Sequence, residues 1–177
     1  MGLKPEFKFG ILAGFALIMW TMVQYWLGFH TFRFKAGQIT GYGMYFIIAV
    51  ALWMGLNEKY ADNGGTLSVR NGMKSGILQL MLTAVVATTF MIVYDYKINA
   101  HWIDQLVAWQ KETQTFGLYV LFDNDPNSTS IILSNSETHI CVYFLGILGV
   151  GGCIAFLIAA ILASRETTGK EIARESI

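Results

Sequence analysis

Charge is scarce in this sequence. Only 14% of the 177 residues carry it, Lys+Arg and Asp+Glu stand level at 12 each, and the formal net charge is +0. There is therefore no basic field to gather nucleic acid and no acidic one to gather cations. Proline is almost missing: Pro5 and Pro126 both lie outside the apolar runs, so the proline-broken spans common in transporters are not encoded. Cysteine occurs twice, at Cys141 and Cys153, inside one apolar run. On a helix that spacing separates them by about 18 Å, too far for a disulfide, and they read as small packing residues. Familiar chemistry signatures are missing as well. The chain has no His-Glu-x-x-His, no Cys-x-x-Cys, no Gly-x-Ser-x-Gly and no phosphate-binding Gly-x-x-x-x-Gly-Lys-Ser/Thr, so no catalytic residue and no metal site is assigned.

What the sequence has in plenty is apolar length. Hydrophobic residues make up 54% and the mean hydropathy is +0.48, a balance suited to lipid. Four stretches, about 7–29, 39–56, 76–98 and 139–163, are each long enough to cross a bilayer core that needs ~20 apolar residues. Lys4 and Lys8 ahead of the first resemble the charged start of a signal peptide, but the apolar part is too long and no small-x-small cleavage pattern follows, so it reads as a retained anchor. With both termini on the cytoplasmic side, that side holds Lys4, Lys8, Lys59, Arg70, Lys74, Arg165, Lys170 and Arg174. The outer side holds half as many, Arg33, Lys35, Lys97 and Lys111, an asymmetry that favours this orientation.

The connectors differ in character. Tyr60 to Thr66, with Gly64 and Gly65 free to take positive φ, reads as a tight turn. Residues 99–116 instead repeat apolar side chains every three or four positions, including Trp102 and Trp109, opposite a polar side. This predicts an amphipathic helix that lies in the outer interface, anchored by those tryptophans, or caps the bundle. The stretch from Leu121 to Ser130 is turn chemistry, and Asn127-Ser-Thr129 fits a glycosylation sequon that often arises by chance.

Helices associate in lipid through small residues that let backbones approach. Gly10 and Gly14, Gly72 and Gly76, and Ala51 and Gly55 are pairs four apart, and Gly151, Ala155, Ala159 and Ala163 form a stripe along the last span. Packing within the chain is the plain expectation; one stripe left over would serve an oligomer or a partner subunit. Ser75, Gln79 and Thr83 also repeat every fourth position, which predicts interhelical hydrogen bonds, with Gln24 a conceivable partner. The richest group of polar residues lies at the outer end: Asp95, Lys97, His101 and Asp104 after the third span, with His30 and Arg33 after the first. An aspartate and a histidine there could shuttle protons, or bind a divalent metal with His30 or His139 completing the set. Charges at a helix end are also what an interface ordinarily carries.

Several runs point to a family. Gly10-Ile-Leu-Ala-Gly14 leading to Gln24-Tyr-Trp-Leu-Gly28, then Leu67-Ser-Val-Arg-Asn-Gly-Met-Lys-Ser-Gly76, then Tyr94-Asp-Tyr-Lys-Ile-Asn99, together resemble a bacterial membrane family catalogued as the domain of unknown function DUF4199. The resemblance covers most of the chain to about Glu112 and fits again over the fourth span; the segment between is longer and richer in Asn, Asp and Ser than the family pattern. It implies a four-helix membrane protein without known activity and carries over no functional residue and no cofactor.

The fold expectation is an all-α integral membrane bundle of four transmembrane helices, one domain, with an amphipathic interfacial helix between the third and fourth. The functional expectation is a non-catalytic accessory or assembly subunit of a larger complex in a bacterial inner membrane, its partners the lipid bilayer and another membrane protein or a second copy of itself. A small transporter or channel is the alternative, and a membrane enzyme using Asp95, His101, Asp104 and His30 a further one.

Overall fold

The computed structural model describes residues 3–113 and 136–175. Their order is α1 (Pro5–Trp26), α2 (Phe34–Gly41), α3 (Gly43–Asp62), α4 (Val69–Val93), a π-helical turn (Tyr94–Ile98), α5 (Trp102–Thr113) and α6 (Ser136–Glu175). There is no strand among the described residues. Four helical stretches, Pro5–Trp26, Phe34–Asp62, Val69–Ile98 and Ser136–Arg165, are long and apolar enough to cross a membrane. The chain is thus an all-α bundle of four such helices. Each one outruns or offsets the apolar stretch read from the sequence, because a helix continues past its apolar part while its backbone bonds hold.

Local chemistry explains the boundaries. α1 starts on Pro5, whose fixed φ suits a first helical position and whose missing N–H costs nothing there. It ends just before Gly28, at φ 75°, where an added Cβ would run into the Phe32 ring. The turn between α3 and α4 uses Gly64 and Gly65 at φ 68° and 77°, and Ser68 then caps α4 by accepting from the Asn71 N–H at 3.4 Å.

Helix α4 is central and packs against α1, α3 and α6. Small residues set the approach. A Cβ on Gly72 would lie 2.7 Å from the Ala159 Cβ, and one on Gly76 would lie 2.9 Å from the Ala155 Cβ. Gly10 and Gly14 likewise bring α1 against Leu82 and Val86 of α4, and Gly151 faces Leu80. The small stripe of the fourth span is therefore consumed inside the bundle, at the α4–α6 contact. Leu17, Ile48, Leu52, Leu80, Ile147 and Leu162 fill the centre. Phe15, Met19, Phe46, Val85, Leu145 and Leu157 are exposed, as lipid-facing positions should be, since lipid tails are as apolar as the core.

The start of α1, the end of α6 and the α3–α4 turn share one end of the bundle, the terminal end; the α1–α2 connection, the π turn, α5 and the start of α6 form the distal end. The connector 114–135, including the sequon at Asn127, lies outside the described residues.

Candidate polar site at the distal end

The π turn closes α4 with the Asn99 N–H bonding the Tyr94 carbonyl, five residues back. This wider turn places consecutive polar residues inside the protein: Tyr94 is 0% and Asp95 1% exposed. Such turns often mark functional positions. Each Asp95 oxygen has its own partner. Trp102 Nε1 donates to Oδ1 at 2.8 Å, and His139 Nδ1, at the start of α6, lies 2.8 Å from Oδ2. Beside them Tyr94 Oη lies 2.6 Å from His30 Nδ1 and accepts from Asn99 Nδ2 at 3.1 Å. Asn99 Nδ2 also reaches the His30 carbonyl at 3.3 Å. Because Asn99 supplies a donor to Tyr94, the tyrosine's own proton is free for His30 Nδ1, which makes that imidazole an acceptor.

Rings fill the space around these bonds. His30 stacks on Trp102 with centroids 4.8 Å apart, and Trp102 meets His139 edge-on at 4.9 Å. Phe34, Met91, Ile103 and Leu106 close the apolar surround. Burial pushes the His30 imidazole down to about 4, helped by the nearby His139 and opposed by Asp95. His30 is therefore neutral at neutral pH, in keeping with its acceptor role. The His139 side chain keeps 13% exposure, so the Asp95–His139 pair lies at the rim while Asp95 itself is sealed.

Of the residues singled out by sequence, Asp95, His30 and His139 meet in this cluster. His101 and Asp104 do not: they face each other at 4.0 Å on the open side of α5, with side chains 84% and 79% exposed. They were grouped with Asp95 as residues of the same outer end on a helix that continues past Lys97; the break at Asn99–His101 turns them away. Trp102 is buried against Asp95 instead of facing outward, and Trp109 packs on Phe34 at 5.7 Å; α5 caps the bundle. Sequence reasoning gave no role to Tyr94 or Asn99, and Trp102 only an anchoring one. Their signal was an aromatic hydroxyl and an amide embedded at the end of an apolar run. No group of three or more His, Cys, Asp or Glu suited to a metal occurs among the described residues.

A second polar group occupies the terminal end. Glu6 is only 4% exposed; it forms an ion pair with Lys59 of α3 and accepts from Ser75 Oγ of α4 at 2.7 Å. One turn further along α4, Gln79 Nε2 donates to the Ala51 carbonyl at 2.7 Å. A turn beyond that, Thr83 Oγ1 lies 3.1 Å from the Gly10 carbonyl and 3.0 Å from that of Gln79. The expected interhelical bonds of Ser75, Gln79 and Thr83 thus exist, but Gln24 partners Thr40 at 3.0 Å. Glu6 drew no attention in the sequence because it stands just ahead of the apolar run.

A family model described as "Protein of unknown function (DUF4199)" matches residues 8–165. The chain belongs to this family. No curated protein and no solved structure matches it. The resemblance read from Gly10–Gly14, Leu67–Gly76 and Tyr94–Asn99 therefore holds across all four helices, including α6.

Proposed function

We propose that this family member is a non-catalytic accessory or assembly subunit of a larger membrane complex, lodged in a bacterial inner membrane with both termini cytoplasmic. The observation that carries the reading is how Asp95 is used. Both of its oxygens are taken, by Trp102 and His139, and the neighbouring His30 and Tyr94 bond each other. Aromatic rings pack around these bonds. A carboxylate bonded through both oxygens to other elements of its own chain works as a clasp, tying α4, α5 and α6 together. Partner binding would then fall to the helix faces still open to lipid. On α6, Gly149 and Gly152 have nothing among the described residues within 4 Å of an added Cβ, which leaves room for a transmembrane helix of another subunit to approach closely.

Gentle detergent extraction at native expression level, followed by size analysis and mass spectrometry, tests this. A defined set of membrane subunits that co-purifies with the native chain and is lost with Gly149→Val supports it; recovery of the chain alone sinks it. A transporter is the second reading, favoured by the polar line Glu6, Ser75, Gln79 and Thr83, which enters the bundle from the terminal end.

A further inference from the structure

The terminal-end group contains a mismatch that the clasp at the other end lacks. Glu6 Oε2 and Gln79 Oε1 are both buried and neither receives a hydrogen bond from a described residue. Glu6 is 4% and Gln79 1% exposed. Two acceptors without donors in an apolar bundle are costly, and they are the kind of exception that asks for an explanation.

Their placement is consistent on three helices. Glu6 and Gly10 stand four apart on α1, Gly55 and Lys59 four apart on α3, Ser75 and Gln79 four apart on α4. The members nearer the terminal end, Glu6, Lys59 and Ser75, form one layer, joined by the Glu6–Lys59 and Glu6–Ser75 bonds. The other members form the next layer: a Cβ on Gly10 would lie 2.8 Å from the Gln79 carbonyl, and one on Gly55 would collide with Gln79 Oε1. Glycine at Gly55 is what lets that oxygen sit between the helices. Successive layers are separated by one helical turn, about 5.4 Å along the axis, and a water held between them can donate to an acceptor in each.

We propose that Glu6 is a proton-binding site, bridged through one water to Gln79 Oε1 and opened from the terminal end by Lys59. In the deprotonated state Lys59 neutralises the carboxylate and the water donates to both orphan oxygens. Proton uptake from a hydronium ion leaves Glu6 as the neutral acid and releases a water. The new O–H then points along the bridge toward Gln79, and Lys59, whose side chain is 30% exposed, turns to solvent with its charge unchanged. Among the described residues, the groups facing Glu6 are Lys59 from α3 and Ser75 from α4; the neighbouring charges Lys8 and Glu58 pair with each other at 2.8 Å. The site stands whether or not the chain has partner subunits.

The test is pH-difference infrared spectroscopy on the full-length protein reconstituted in vesicles. Lowering the pH is expected to produce the band of a protonated carboxyl in apolar surroundings, lost in Glu6→Gln and kept in Asp95→Asn. Gln79→Leu should move that band toward the frequency of a carboxyl with no acceptor. Lys59→Met should make it appear at a proton concentration about tenfold lower, one pH unit. The absence of the band, its survival in Glu6→Gln, or a midpoint moved by sodium at constant pH each overturns the proposal, the last in favour of a metal-cation site. If Glu6→Gln gives no monodisperse protein, the Lys59→Met shift decides: an unchanged midpoint overturns it.

Discussion

At the scale of single residues, Asp95 is the side chain on which most depends. Asp95→Ala leaves the Trp102 indole and the His139 imidazole without an acceptor in an apolar surround, and about 1–3 kcal/mol is at stake for each such group. Unfolding in mixed micelles should show a loss of about 2–4 kcal/mol, together with faster proteolysis within α5. Asp95→Asn keeps an oxygen for Trp102 and should lose less. His30 gives the pH prediction. Its folded value of about 4 lies below the ordinary 6.5, so between the two the unfolded chain binds the extra proton. Stability is therefore full above pH 6.5, falls as the pH drops toward 4 and levels off below it, by roughly 3 kcal/mol in all. Replacing His30 with Gln, which cannot titrate, should flatten that part of the stability curve; an unchanged slope would assign it to another group.

At the scale of elements, the α4–α6 contact rests on the absence of side chains. Gly76→Val puts branches where the Ala155 Cβ already lies 2.9 Å from an added Cβ, so the helices must separate, at a cost of about 1–3 kcal/mol. Gly149→Val, on an open face of the same α6, should stay within about 0.5 kcal/mol of the native stability. Comparing both variants by unfolding separates packing within the chain from contact with another subunit, because only the second should also fail to bring partners through extraction. α5 behaves differently. Its own helical pattern was readable, yet its docking depends on Trp102 reaching Asp95 around the break at Asn99–His101, and nothing in a repeat of three and four marks that break.

For the whole molecule, the distribution of Lys and Arg predicts that the terminal end faces the cytoplasm. Thr66→Cys in the α3–α4 turn and His101→Cys at the distal end, each in a background with Cys141 and Cys153 changed to Ser, should react with a membrane-impermeant thiol reagent from opposite sides. Labelling of His101→Cys but not Thr66→Cys in intact cells is the expected outcome; the reverse overturns the orientation. The two polar groups sit at opposite ends of the bundle, one with both carboxylate oxygens bonded and the other with two acceptors to spare. Clasp and proton site are thus separable by mutation.

The four membrane helices, their turn at Gly64–Gly65 and their small-residue contacts were legible in the sequence. Apolar length, turn chemistry and spacing are local properties, and lipid imposes helices on any such stretch because each backbone group must be satisfied within its own segment. Family membership was legible for the same reason, since its motifs are largely glycine placement and apolar pattern. What the sequence could not fix was which polar residues meet. Asp95 joins Trp102 and His139, across 7 and 44 positions, and leaves His101 and Asp104 in the open. Glu6 joins Lys59 and Ser75 across 53 and 69. Those meetings were decided by the π turn that widens the end of α4 and by the register in which glycines let α1, α3, α4 and α6 close on one another, because a side chain's partner depends on the position of other helices and not on its own neighbours in the chain.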